Sequence, residues 1–299
     1  MVAVVGATAT GKSDLAVALA ARVGGEVVNA DSMQLYRGMD IGTAKPSTGE
    51  RGGVPHHLLD VWDVTVTANV ADYQRMARRV FGEVSARGRT PVLVGGSGLY
   101  VRAALDDHDF PGTDEGLRAR LEAELATQGP GAMHARLAEV DPAAAARILP
   151  SNGRRIVRAL EVVELTGKPF AATLPEPRPA VPAVQLGLAL DRATLDERIE
   201  GRVERMWAQG FVDEVRRLAE QGLRQGRTAS RALGYAQVLR HLDGEWTEAR
   251  AKDETVRATR RFARRQESWF RRDPRVTWLD AAAGPPALVE QAAARLWVA

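Results

Sequence analysis

Near the start of the chain, Gly6-Ala7-Thr8-Ala9-Thr10-Gly11-Lys12-Ser13 fits the spacing G-x-x-x-x-G-K-[ST]. That spacing suits the holding of a phosphate chain. Glycines let successive backbone N–H groups face one anion, and a helix N-terminus behind them adds the positive end of its dipole. Lys12 contributes a full charge, and the Ser13 hydroxyl can hold Mg2+ beside the phosphates. Gly6, Thr8, Ala9, Thr10, Gly11, Lys12 and Ser13 are therefore the candidate ligands of a diphosphate or a triphosphate, and the pattern does not choose between them. A second chemistry-bearing residue, Asp31, follows the expected strand Glu26 to Ala30. A carboxylate there has three readings, as a Mg2+ ligand, a general base or a helix N-cap, and spacing alone leaves them level.

These residues need a scaffold, and the hydrophobic pattern predicts one. Val2 to Val5 is a short apolar run ending in glycine, which reads as a buried parallel strand. Lys12 to Val23 carries apolar residues at helical spacing, and Glu26 to Ala30 is a second strand. Strand, loop, helix and strand in that order imply a parallel sheet with a right-handed crossover. A helix from about Val70 to Arg87 precedes a strand at Pro91 to Val94, which ends in Gly95-Gly96-Ser97-Gly98. Further strands are expected at Gln185 to Leu190 and Val276 to Leu279. The fold class is α/β, a P-loop NTPase-like parallel sheet flanked by helices. Strand C-termini line the ligand crevice of such a sheet, which aims Asp31 at the phosphate loop.

Between Pro111 and Pro182 no strand signal appears. Leu117, Leu121 and Leu125 sit four apart, and Met133 to Val140, Pro142 to Leu149 and Arg154 to Leu165 also read as helices. Gly167 is a plausible C-terminal cap. Pro175, Pro177, Pro179 and Pro182 then make a stiff return linker. The expected organisation is a core of residues 1–110 and 183–299, with an all-helical insertion over 111–182. From Leu195 to about Arg272 the chain is again mainly helical.

The bulk numbers restrict the classes. The 299 residues are 45% hydrophobic and 26% charged, ordinary for a globular protein, with a net charge of only +3. With no cysteine, disulfides, thiolate metal sites and cysteine nucleophiles are excluded. No apolar stretch is long enough to cross a bilayer, and the first residues lack the charged start and cleavage site of a signal peptide. A cytoplasmic enzyme with no membrane partner is the expectation. His56-His57 reads as structural, because adjacent side chains do not face one another on a helix or a strand.

The run Asp31-Ser32-Met33-Gln34-Leu35-Tyr36-Arg37-Gly38-Met39-Asp40-Ile41-Gly42-Thr43-Ala44-Lys45-Pro46 resembles the signature of the tRNA dimethylallyltransferases (the IPP transferase family). Four later blocks resemble that family in its own order: Val54 to Asp60, Gly95 to Tyr100, Arg158 to Val162, and Arg264 to Arg271. The resemblance implies transfer of a dimethylallyl group from its diphosphate to N6 of the adenosine 3′-adjacent to the anticodon, position 37, in tRNAs reading codons that begin with U. It implies Asp31 as the base that positions the amine. It also implies a substrate contact from Ser97, which stands where threonine is more usual, and an arginine at Arg202 that neutralises the diphosphate. Departures are Ala7 and Thr10 in the phosphate loop, and Arg154 in place of a glutamine beside Arg155 and Arg158.

RNA contact is expected from Asp31, Ser32, Met33, Gln34 and Ser97 around the acceptor. Arg261, Arg264 and Arg265 belong to a basic stripe on the helix running to Arg272, with Phe262, Trp269 and Phe270 on its opposite side. Arg118, Arg154, Arg155 and Arg158 form a second basic element in the insertion. Insertion and core are expected to clamp the anticodon stem–loop, the target base leaving its stack to reach Asp31, in a protein acting as a monomer. The rivals are a P-loop small-molecule kinase, a prenyltransferase acting on free adenine nucleotides, and a nucleotide-dependent RNA-binding switch without transfer chemistry.

Overall fold

The computed structural model describes residues 1–108, 110–170 and 176–296. Among these, β1 (Val2–Gly6), β2 (Gly25–Asn29), β3 (His56–His57), β4 (Thr90–Gly95), β5 (Val184–Ala189) and β6 (Val276–Asp280) form one sheet in the order β3-β2-β4-β1-β5-β6. Every pairing is parallel. β1 is buried along its whole length, which is why its residues read as a continuous apolar run rather than an alternating one.

Helices α1 (Lys12–Val23), α2 (Val70–Ala86) and α3 (Gly98–Leu105) belong to the first half of this core. α1 starts at the residue the pattern predicts. Leu15, Ala16, Leu19 and Ala20 face the sheet from it, in one apolar cluster with Val2, Val4, Val27 and Val92. The other sheet face is covered by Tyr73, Ala77, Val80, Phe81 and Val84 of α2, packed with Val28 and Leu93. Asn69 caps α2, its side chain accepting from Ala71 N.

The chain divides into two compact units, Met1–Asp106 with Pro179–Ala299, and Asp107–Arg178. Each junction lies a few residues before the position expected from the sequence. At the core side of the junctions, Pro179 forms a bridge with Asp106. Pro175 of the expected return linker lies outside the described residues.

The second unit is helical: α4 (Glu115–Val140), α5 (Pro142–Ala145) and α6 (Gly153–Thr166). α4 is broken at Gly129, whose φ of 78° and ψ of 165° are non-helical, just before Pro130. The two helices expected there are thus two segments meeting at a kink. The helix expected over Pro142 to Leu149 is shorter than predicted, a single turn ending at Ala145. α6 ends at Gly167, a left-handed cap with φ 64°. Its apolar core joins Leu121, Met133, Leu137, Ile148, Ile156 and Leu160.

After β5 the core continues through α7 (Arg192–Ala208), α8 (Phe211–Glu220), α9 (Tyr235–Leu242) and α10 (Glu248–Phe270). The basic helix α10 is not the last one. α11 (Pro285–Leu296) follows β6 and packs Leu288 and Ala292 beside α1, an element the sequence reading did not predict.

Candidate active site

Three loops that carry the candidate residues follow three neighbouring strands. The phosphate loop follows β1, Asp31 follows β2, and Ser97 follows β4, in the sheet order β2-β4-β1. Register brings the strand ends level, with Asn29 opposite Val94 and Val5 opposite Gly95. All three loops leave from the C-terminal edge of the sheet, the edge at which open parallel sheets bind ligands.

The phosphate loop is held open by its own backbone. Gly6 has φ 135°, and a Cβ there would lie 2.9 Å from Leu188 O of the neighbouring strand, so only glycine fits. Ala9 has φ 64° and Gly11 φ 88°, which turn the chain into α1. Thr10, though a departure from the family pattern, is buried and donates its hydroxyl to Ala7 O at 2.9 Å, tying the loop across its mouth. Lys12 folds back to donate to the same carbonyl. Burial, helped by the nearby Arg202 charge and opposed by Asp31, pushes the Lys12 amine down to about 7. Ser13, one residue into α1, is exposed.

Arg202 reaches this loop from α7. It donates to Thr8 Oγ1 at 2.8 Å and to Thr43 O at 3.4 Å. Burial lowers its pKa against the attraction of Asp31. Lys12, Arg202 and Asp31 therefore sit within one another's electrostatic reach. A cavity of about 1050 Å3 opens beside them, its walls including Lys12, Ser13, Asp14, Lys45, Arg198 and Arg202. Asp31 and Ser97 do not line it. They follow β2 and β4, which lie beside β1 on the side away from β5.

Asp31 is fixed from behind by Asn29. The buried Asn29 amide donates to Asp31 O at 3.0 Å and to Leu58 O at 3.0 Å, and its Oδ1 accepts from Asp31 N at 2.9 Å. Asp31 Oδ1 accepts from Met33 N at 2.9 Å, so it caps the following turn rather than a helix. Ser97 Oγ accepts from Ser32 N at 3.2 Å and lies 3.3 Å from Ser32 Oγ. Met33 packs against the cluster of α8 and α9, and Gln34 donates to Thr43 O at 3.2 Å.

A family model described as IPP transferase matches residues 34–273. The chain belongs to the IPP transferase family. A tRNA dimethylallyltransferase of Thermobifida fusca is 69% identical over 297 residues, covering 98% of this chain and 92% of that one. One from Streptomyces coelicolor is 69% identical over 279 residues, covering 93% and 89%. Among solved structures, the tRNA isopentenylpyrophosphate transferase of Bacillus halodurans is 44% identical with a TM-score of 0.68, covering 94% of this chain and 89% of that chain. A eukaryotic dimethylallyltransferase acting on tRNA is 25% identical with a TM-score of 0.80, covering 94% and 73%.

In this IPP transferase the basic candidates separate into two kinds. Arg261, Arg264 and Arg265 of α10 are exposed, and Arg264, Arg265, Ser268, Trp269 and Arg272 line a shallow depression. Phe270 is buried as expected. Phe262 is only half-buried, with the Arg265 guanidinium 5.7 Å from its ring centroid, because its position on the helix falls at the edge of the buried stripe. In the insertion, Arg154 and Arg155 are exposed. Arg118 and Arg158 instead turn inward onto the buried Glu161, and Arg158 also donates to Pro111 O at 2.6 Å. Burial alone would raise the Glu161 carboxyl; the two arginines outweigh it and hold the group below its ordinary range.

The histidine pair is structural. His56 Nδ1 lies 2.8 Å from Val54 O and His57 Nε2 lies 2.6 Å from Glu26, with the two rings on the edge strand β3. The candidate site also contains residues that sequence reasoning passed over. Glu214 of α8 is buried and accepts from the backbone N–H groups of Asp40, Ile41 and Gly42, and from Tyr235 OH at 2.6 Å. It pins the loop whose Thr43 carbonyl meets Arg202. A Cβ on Gly42 would fall 2.2 Å from the Phe211 ring, which explains the glycine. Lys45, buried, ties Tyr36 O to Asp40 and Asp60.

Proposed function

We propose that this chain transfers a dimethylallyl group from dimethylallyl diphosphate to N6 of the adenosine 3′-adjacent to the anticodon, in tRNAs reading codons that begin with U. The observation that carries the reading is that the phosphate loop after β1, Ser97 after β4 and Asp31 after β2 leave neighbouring strands at one edge of the sheet, with Arg202 of α7 reaching the phosphate loop and a cavity beside it.

The donor diphosphate occupies the loop between Gly6 and Ser13. Its charge restores Lys12 to the ammonium form, and Lys12 and Arg202 together neutralise the leaving group. The C1–O bond of the donor breaks, the N6–C1 bond forms, and diphosphate departs. Exocyclic amines are weak nucleophiles, so the amine gains from a carboxylate that orients it and takes its proton. Asp31, locked by Asn29, is that carboxylate. Ser97 holds the Ser32 backbone and keeps the acceptor turn in place.

The residues fit Mg2+ as the companion ion. Among the described residues no cluster of three or more His, Asp or Glu is built to hold a metal alone. The Ser13 hydroxyl, at the start of α1 beside the phosphate loop, would hold the ion together with phosphate oxygens of the donor, an oxygen set suited to Mg2+. When bound, Mg2+ offsets the negative charge that grows on the leaving diphosphate. Arg261, Arg264 and Arg265, with Arg154 and Arg155, supply phosphate contacts to the RNA. No helix among the described residues is long and apolar enough to cross a membrane; a cytoplasmic monomer is the form that goes with this reading.

The test is a choice of acceptors. Labelled dimethylallyl diphosphate and Mg2+ are offered together with AMP and unmodified tRNA. Label entering tRNA is expected. Label on AMP alone, or ATP turnover without prenyl transfer, would overturn the proposal.

A further inference from the structure

Gln266 sits near the C-terminal end of α10, between the exposed arginines and Trp269, yet its amide is buried. Its two ends serve the two halves of the site. Oε1 accepts from Thr8 N of the phosphate loop at 2.9 Å, and Nε2 donates to Gly96 O of the second glycine turn at 3.0 Å. Thr8 is also the residue whose hydroxyl takes Arg202, and Gly96 immediately precedes Ser97, which holds Ser32 beside Asp31. One side chain thus bridges the donor loop and the acceptor turn.

The contact has no slack. A Cβ on Gly96 would lie 2.2 Å from Gln266 Nε2, and one on Gly98 would lie 2.1 Å from Trp269 Nε1. The Gly96-Ser97-Gly98 turn is therefore pressed against α10 at two successive points, and a shift of the helix must shift the turn. The alternative, that the amide merely fills the core, leaves its double engagement without a purpose. An apolar side chain fills the same volume without a polar group that must be satisfied.

We infer that Gln266 is a positioning residue for transfer: it sets the spacing between the donor phosphate loop and the acceptor turn, and registers RNA seated on α10 to the donor. The inference rests on the tRNA-prenylation reading. Each hydrogen bond is directional, and misplacement of reacting groups by about 1 Å costs roughly 100-fold in rate.

The experiment compares the full chain with Gln266→Met, which keeps the volume and removes both bonds, and Gln266→Glu, which keeps only the acceptor for Thr8 N. Single-turnover transfer is measured at saturating dimethylallyl diphosphate and tRNA. Binding of inorganic diphosphate, binding of tRNA and Tm are measured beside it. Expected is a fall in rate of about 10- to 100-fold in both variants, with either ligand bound within about threefold of the unsubstituted chain and Tm lowered by a few degrees at most. An unchanged rate in Gln266→Met overturns the inference. So does a loss of both affinities and of Tm in step with the rate, which would make the amide a support of the fold. An unsubstituted chain that labels no tRNA would instead defeat the reading on which the inference rests.

Discussion

The arginines of α10 and those of the insertion look alike in the sequence and behave differently in the structure. Arg261, Arg264 and Arg265 remain at the surface. Arg118 and Arg158 are drawn onto Glu161, whose carboxylate is wholly buried, while Arg120 and Arg136 knit Glu124 to Glu164 across the same unit. The α10 arginines also have acids nearby, Arg260 meeting Glu200 and Arg264 lying 3.9 Å from Asp196, but these α7 acids keep 60% and 24% of their side chains in water, whereas Glu161 is wholly buried. In the insertion the acids lie on α4 and α6 themselves, so part of its positive charge holds its helices together. The core also has such pairs, with buried Asp106 meeting Arg102 and Arg275, but around the site it uses its buried polar groups otherwise. Asn29, Glu214 and Gln266 each bind backbone in the loops around the site, and so stiffen the chemistry rather than the scaffold.

The largest effect that sharpens this contrast is at the acceptor carboxylate. Asp31→Ala should lower single-turnover transfer by about 100- to 10,000-fold while inorganic diphosphate still binds. Near-normal turnover would return Asp31 to its bland role as the cap of the Met33 turn.

The next effect lies in the insertion. Glu161→Gln should cost about 2 kcal/mol of stability, less than a fully buried ion pair because Arg118 and Arg158 keep 25% and 26% of their side chains in water. Thermal unfolding reads it, and donor binding should not change. The same carboxylate sets a pH dependence. Its folded pKa lies below the ordinary 4.5, so its contribution is present above that value and is lost as pH falls through the folded pKa. Glu161→Gln should accordingly flatten the loss of Tm on acidification below about pH 4.5.

The smallest effects separate the two kinds of arginine. Arg264→Ala and Arg265→Ala should each weaken tRNA binding a few-fold and reduce the salt dependence of log K by about 1, with Tm unchanged. Arg118→Ala should do the reverse, lowering Tm with little change in salt slope. If Arg118→Ala altered the salt slope as Arg264→Ala does, the division drawn between α10 and the insertion would fail.

Much of the core was legible because it is local. The phosphate loop, α1 and the strands that flank it are set by apolar runs and glycines a few residues apart, and the pattern found α1 to the residue. Elements without such a signal escaped. β3 is two residues long, too short for any periodicity, and is a strand only because Val27 and Val28 lie beside it. The helix predicted over Pro142 to Leu149 stopped after one turn. Among site residues, Lys12, Asp31 and Ser97 stand in glycine-rich or strand-end contexts that advertise them. Gln266, though it falls within the Arg264 to Arg271 block, gives no sign of what it touches, and Glu214 looks like an ordinary helix residue. Their partners lie 258 and 172 positions away at Thr8 and Gly42, a distance over which one sequence carries no signal. The inward turn of Arg118 was hidden for the same reason, with Glu161 on another helix.

The most direct test of the account is transfer to two tRNAs that differ at one base. Labelled dimethylallyl diphosphate, Mg2+ and the full chain are mixed with unmodified tRNA carrying adenosine 3′-adjacent to the anticodon, or guanosine at that position. Label in the adenosine tRNA and none in the guanosine tRNA is the predicted result, since only adenosine offers N6 to Asp31. Equal label in both, or label in neither, would contradict it.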